Sequence, residues 1–161
     1  MIKRGLALLL LAASLVAGAA AAQQQRATPY WASIASGRAM MRTGPSQNYP
    51  ATWEYRRADL PIRVIEVYES WRKIQDPDGT TGWMSAVMLA DRRTALVRGD
   101  GPRPLHESPD EGSPVRYRAE PGVVGRISHC ASGWCRLDVH GRAGYIRSTD
   151  IWGVDPDEVL R

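Results

Sequence analysis

One stretch of this chain is written twice. Trp71-Arg72-Lys73-Ile74, followed after a turn by Gly82-Trp83-Met84, returns as Trp134-Cys135-Arg136-Leu137 followed by Gly144-Tyr145-Ile146. The displacement is 63 residues at the tryptophans and 62 at the glycines, and Ala58-Asp59-Leu60-Pro61 is answered by Ala119-Glu120-Pro121-Gly122 at 61. A nearly constant displacement across several landmarks marks an internal duplication, so the chain must build two similar units of about sixty residues. In the first copy the two arms flank Pro77-Asp78-Gly79, where proline presets φ and glycine accepts a positive φ. Strand, turn and strand follow, a hairpin with a tryptophan on each arm. Gly82, just before Trp83, leaves room for another backbone to approach.

The rest of the chain reads around these hairpins. Residues 1–22 carry Lys3 and Arg4, an apolar run from Leu6 to Val16 that is short for a membrane span, and an Ala20-Ala21-Ala22 cleavage site. They are expected to be a secretory signal peptide. No cysteine stands near the cleavage region to take a lipid, and no membrane insertion is expected after cleavage. Loss of Lys3 and Arg4 lowers the net charge from +4 to +2, and neither half of the remainder is strongly basic. A nucleic-acid partner is therefore not expected. Residues 23–32 are expected to be a flexible segment. Gly37–Arg42 reads as a short strand, Thr43–Pro50 as a turn-rich loop, and Leu60–Tyr68 as a strand with apolar residues on both faces, hence one whose second face is partly covered. Ser85–Leu89 reads as a short helical turn. Gly99-Asp100-Gly101-Pro102 is so short a junction that the units must touch, and Thr94–Val97 could complete either of them. No sustained helical period occurs beyond the signal. The chain is expected to be all-β.

Here the residues meet a known pattern. Arg42-Thr43-Gly44-Pro45-Ser46, Asn48-Tyr49-Pro50, Trp71-Arg72-Lys73-Ile74, Asp78-Gly79 and Gly82-Trp83-Met84 resemble, in this order and spacing, the bacterial SH3-like (SH3b) family. Ser132–Leu137 and Gly144-Tyr145-Ile146 look like a diverged second copy, and Ile151-Trp152-Gly153-Val154 is similar to the ending of two-repeat exported members. The resemblance implies two tandem small, partly open β-barrels packed together: 33–93 for the first, 94–155 for the second with a closing strand or linker at 94–102, and a tail at 156–161. A lone sixty-residue barrel would be marginal, which favours packed units. The second unit lacks the Arg-x-Gly-Pro-Ser loop and has Leu105-His106-Glu107-Ser108-Pro109 there, which puts a ligand role for that loop in doubt.

Two cysteines, Cys130 and Cys135, flank Ala131–Trp134. In an exported hairpin they are expected to face each other as a disulfide. The alternatives are a metal site drawing on His129 and His140, disfavoured because neighbouring strand residues point to opposite faces, and a catalytic thiol, which would need an unpaired cysteine and a base. No nucleophile elbow, phosphate loop or His-Glu-x-x-His is present, and the paired acids Asp76/Asp78 and Asp155/Asp157 read as solvated turn residues. No enzyme, metal or cofactor is expected. The candidate ligand-binding residues are Arg42, Tyr49, Tyr68, Trp71 and Trp83, with Tyr145 as the second unit's counterpart to Trp83. These are rigid rings with polar handles, suited to stacking on sugars or holding an extended peptide. Without phenylalanine the same residue types must also fill the core, so about half or more of these rings are expected to be packing residues. The resemblance implies a periplasmic binding module for peptidoglycan or a peptidoglycan-associated envelope protein. A scaffold for extended peptides and a disulfide-based redox sensor are the alternatives.

Overall fold

A computed structural model describes residues 26–161. The expected signal peptide lies outside the described residues. Seven strands make the first sheet: β1 (Tyr30–Ile34), β2 (Ala39–Arg42), β3 (Ala51–Tyr55), β4 (Pro61–Tyr68), β5 (Trp71–Gln75), β6 (Thr81–Ser85) and β7 (Leu89–Ala90). Seven more make the second: β8 (Thr94–Val97), β9 (Arg103–His106), β10 (Val115–Ala119), β11 (Val124–Ala131), β12 (Trp134–Val139), β13 (Arg142–Arg147) and β14 (Ile151–Trp152). The spatial orders are β3-β2-β6-β5-β4-β1-β7 and β10-β9-β13-β12-β11-β8-β14, all antiparallel. They match strand for strand. Short 3₁₀ turns, Ala86–Met88 and Ser148–Asp150, occupy equivalent places before the last strand of each sheet. The chain is all-β and contains its fold twice.

Each sheet curls around its own core. Ile34, Met41, Ile62, Val64, Ile74 and Met84 fill the first; Val97, Leu105, Ile127, Leu137, Ile146 and the two cysteines fill the second. The glycines expected to allow close approach do so. A Cβ on Gly82 would stand 2.5 Å from Met41 Cγ and 3.0 Å from the Arg42 carbonyl, where β2 meets β6. Gly144 is equally confined, by Leu105 and His106, where β9 meets β13.

Two features depart from the sequence reading. Residues 23–32 were assigned to a flexible segment, yet Tyr30–Ala32 belong to β1, with Trp31 and Ala32 buried. The reason is tertiary: Trp31 meets Trp152 of the second unit edge-to-face at 4.9 Å, and Arg63 lies over the same ring. Thr94–Val97, which the short junction left open to either unit, pairs with β11 and β14 and so closes the second. β1 fills that place in the first. The two-faced apolar pattern of β4 comes from a bulge, not from a covering layer. Register slips between Val64 and Glu66, so Ile62 and Val64 point inward before it and Val67 after it. β11 has the same slip between Ile127 and His129. One extra residue reverses the alternation, which turns Cys130 into the core and, in the first unit, turns Tyr68 out.

The units are joined along this seam. Arg98 donates to the Pro77 carbonyl at 2.8 Å while lying over the Trp152 ring, and Arg63 pairs with Asp155 at 3.2 Å. Gly153, at φ 123°, sits with its Cα so close to Thr94 that a Cβ would fall 2.3 Å from that residue's carbonyl oxygen. The C-terminal tail returns to the second sheet, where Leu160 and Cys130 exchange backbone hydrogen bonds at 3.0 Å.

Candidate functional site

The bulge in β4 sets the site. Residues paired directly across antiparallel strands project to one face. Beyond the bulge, the outer face carries the row Tyr68, Trp71 and Ser85, and beside it the row Glu66, Lys73, Trp83 and Arg42. Four of the five sequence-nominated residues therefore share one face of the first unit. Tyr68 meets Trp83 edge-to-face at 6.4 Å and is 51% exposed. Lys73 lies 6.0 Å from the centre of the Trp83 ring and 3.5 Å from Glu66. Trp71 and Trp83 are partly buried, walls of the face and not core residues.

The fifth residue, Tyr49, is in the loop between β2 and β3 and joins this group through the backbone. Arg42 donates from Nη1 to the Tyr49 carbonyl at 2.7 Å. The loop is closed by Thr43 N–H to the Pro50 carbonyl and by Tyr49 N–H to the Ser46 carbonyl. The Tyr49 ring lies against Gly44, where any Cβ would come within 2.7 Å of it, yet the side chain is 47% exposed. Arg42 is thus the hinge between an aromatic face and a rigid loop with its own exposed ring.

The second unit builds a loop of the same shape from other residues. His106 takes the place of Arg42 and donates from Nδ1 to the Ser113 carbonyl at 2.9 Å. Glu107 N–H bonds the Pro114 carbonyl, Ser113 N–H bonds the Asp110 carbonyl, and the Asp110 carboxylate substitutes for the Ser46 hydroxyl in capping the turn. The face beside it is closed. Trp134, the counterpart of Trp71, is only 6% exposed: Arg147 covers its ring at 4.3 Å, His106 meets it edge-on at 5.4 Å, and Glu111 fixes Arg147 at 2.6 Å. Tyr145, paired between Arg136 and His106, is half-buried and shares a face with those two charged or titratable neighbours, while the second unit's exposed ring, Tyr117, stands on the edge strand β10.

Cys130 and Cys135 are direct cross-strand partners, with Cα atoms 4.1 Å apart and an S–S bond of 2.02 Å. Ser132 and Gly133, at φ 52° and 76°, form the two-residue turn between them. The disulfide removes both thiolates from the alternative metal site and from any nucleophilic role.

Trp53 is a residue that sequence reasoning missed. It is the most exposed tryptophan at 59% and stands on the edge strand β3, at the rim of a cleft of about 330 Å³ shared with Leu60, Pro77 and, from the second unit, Leu96. The cleft floor is Tyr55, whose hydroxyl donates to Asp76 at 2.9 Å; burial, reinforced by that carboxylate, pushes the phenol well above its ordinary pKa. Asp76 is not a solvated turn residue. It is buried and accepts from Asp78 N–H, Thr80 N–H and Tyr55, pinning the hairpin turn. The alternation Thr52-Trp53-Glu54-Tyr55 was the available sequence signal for this strand.

With the fold and this face described, comparison with known proteins decides the family. A family model for the bacterial SH3 domain matches residues 35–90 and 100–153, one match on each sheet and more than half the chain in total. The chain belongs to the bacterial SH3 domain family. No curated protein matches it. Among solved structures it is similar to NlpC1 from Trichomonas vaginalis (12% identity, TM-score 0.34, covering 81% of this chain and 48% of that one). It is also similar to NlpC2 from the same organism (11%, 0.34, 80% and 51%) and to an NlpC/P60 family protein from Bacillus cereus (13%, 0.34, 76% and 55%). The chain spans about half the length of each. Within the SH3 pair, Tyr68, Trp71 and Trp83 form an open aromatic face on the first domain, whereas Trp134, the second domain's counterpart of Trp71, is covered.

Proposed function

We propose that this chain is a non-catalytic, exported binding module of the cell envelope whose first SH3 domain holds peptidoglycan through the face of Tyr68, Trp71 and Trp83 and the neighbouring Arg42–Tyr49 loop. The observation that carries the reading is the difference between the two domains. The same fold leaves Tyr68, Trp71 and Trp83 on an open face in one and covers Trp134 with Arg147, held by Glu111, in the other. Rings bordered by Lys73, Glu66 and Arg42 offer stacking surface to a sugar together with charged partners for the groups of a stem peptide. Family membership and a disulfide fit an oxidising compartment outside the cytoplasm, and the expected signal peptide would deliver the chain there.

Co-sedimentation of the oxidised protein with purified sacculi tests this. Saturable binding is expected, weakened about fivefold by Tyr68→Ala, the loss of roughly 1 kcal/mol of stacking. A folded protein that stays in the supernatant would sink the reading. The peptide-scaffold alternative is favoured by one feature, the exposed edge strand β3 with Trp53 beside its cleft. It predicts loss of a protein partner on Trp53→Ala, with no change in sacculus binding.

A further inference from the structure

A cleft of about 520 Å³ lies between the domains and away from the aromatic face. Its walls come from the turn before β4 of the first domain and from β8, β11 and the β12–β13 turn of the second. Two of its side chains, Arg57 and Arg126, are exposed guanidiniums with no ion pair or side-chain hydrogen bond among the described residues. Ten ion pairs engage ten of the other basic groups, and of the guanidiniums left without an ion pair or side-chain hydrogen bond these two are the ones that line the cleft.

The cleft's acids are already engaged. Asp59 is held by Arg92 at 2.6 Å, and Asp138 accepts the Gly141 N–H at 2.7 Å while standing across the strand pair from Arg126 without bridging to it. Two guanidiniums without an ion pair therefore share the lining with two occupied carboxylates. The Thr94 Oγ1 on the wall is also without a hydrogen-bond partner although the residue is 2% exposed. Two non-glycine residues at the rim, Asp59 and His140, hold positive φ angles of 63° and 52°. At His140 the angle belongs to the two-residue turn with Gly141 (φ 87°) that joins β12 to β13, so the turn itself fixes this wall of the cleft.

We infer that this cleft is a site for a small soluble molecule bearing two oxyanionic groups, carboxylate or phosphate, gripped by Arg57 of one domain and Arg126 of the other. Guanidinium presents a planar fork that matches either oxyanion in two-point contact, and a fork from each wall suits a ligand with two such groups. Occupancy would tie the domains together across the seam. The site is independent of the aromatic face, so neither claim stands or falls with the other.

The test is calorimetric titration of the full oxidised protein with citrate and, separately, with pyrophosphate at about 0.15 M salt, where loose surface attraction is screened. Binding of at least one probe is expected, weakened about tenfold or more by Arg57→Ala and by Arg126→Ala, and only partly restored by Arg126→Lys. Both arginines are exposed and unpaired, so these variants should fold as wild type. Citrate alone would assign carboxylates and pyrophosphate alone phosphates. If neither probe binds in the millimolar range, or if either alanine variant binds like wild type, the inference is overturned. Sacculus binding by the two variants should stay at the wild-type level.

Discussion

Gly82 and Glu158 show how much single positions carry. A methyl group on Gly82 would collide with Met41 and with the Arg42 backbone at the point where β2 crosses to β6. Gly82→Ala should therefore cost about 1–3 kcal/mol in chemical denaturation, whereas Gly37→Ala, with open space around it, should cost almost nothing. Glu158 holds the C-terminal tail. Burial raises its pKa, but hydrogen bonds from Arg93 and from Asp155 N–H outweigh that and leave the carboxyl below its ordinary value of 4.5. A lowered folded pKa contributes stability that is present above the unfolded value and is lost as pH falls through the folded one. The tail should accordingly stay docked at neutral pH and loosen below about pH 4.5, read as a fall in the protection of Leu160 N–H relative to its unprotected exchange rate at each pH. A Leu160 protection factor that does not change with acidification would show that Glu158 does not hold the tail.

At the scale of elements, the hairpins were legible because turn chemistry is local. Pro77-Asp78-Gly79 needs no distant partner to be read, and neither does the spacing that brings Cys130 to Cys135. The bulges were not legible. Ile65 looks like any alternating strand residue, and only the pairing of Glu66 with Lys73 reveals the slip that decides which side chains face out. The second loop was hidden for another reason: His106, Ser108, Asp110 and Ser113 rebuild its hydrogen bonds with different donors and acceptors. β1 was missed because Trp31 is held by a residue more than a hundred positions away. The disulfide closes a very short loop, so its removal should cost about 2 kcal/mol by the loop-entropy relation. Cys130 pairs with Leu160, so reduction should loosen the tail and the β11–β12 hairpin first. Hydrogen exchange before and after reduction would show protection lost there, with the first domain unaffected.

The whole molecule is two domains sharing a seam. Trp31 and Trp152 bury an edge-to-face contact between them, flanked by Arg63 and Arg98. Trp31→Ala should cost about 3 kcal/mol and split one thermal transition into two, as each core keeps its own contacts once the seam is weakened. A single unshifted transition in calorimetry would mean that the seam is not what couples the domains. Duplication was the part of this architecture written most plainly in the sequence. The division of labour was not, because it depends on Arg147 and Glu111 covering Trp134 while Ser85 leaves Trp71 uncovered, a difference of neighbours and not of motif.

The most direct test of that division uses the indole N–H signals of the six tryptophans in a ¹H–¹⁵N spectrum, titrated with soluble muropeptides. Trp71 and Trp83 should shift progressively, while Trp31, Trp134 and Trp152 stay in place. Shifts confined to Trp134 or Trp152, or no shift at saturating ligand, would contradict a wall-binding face on the first domain.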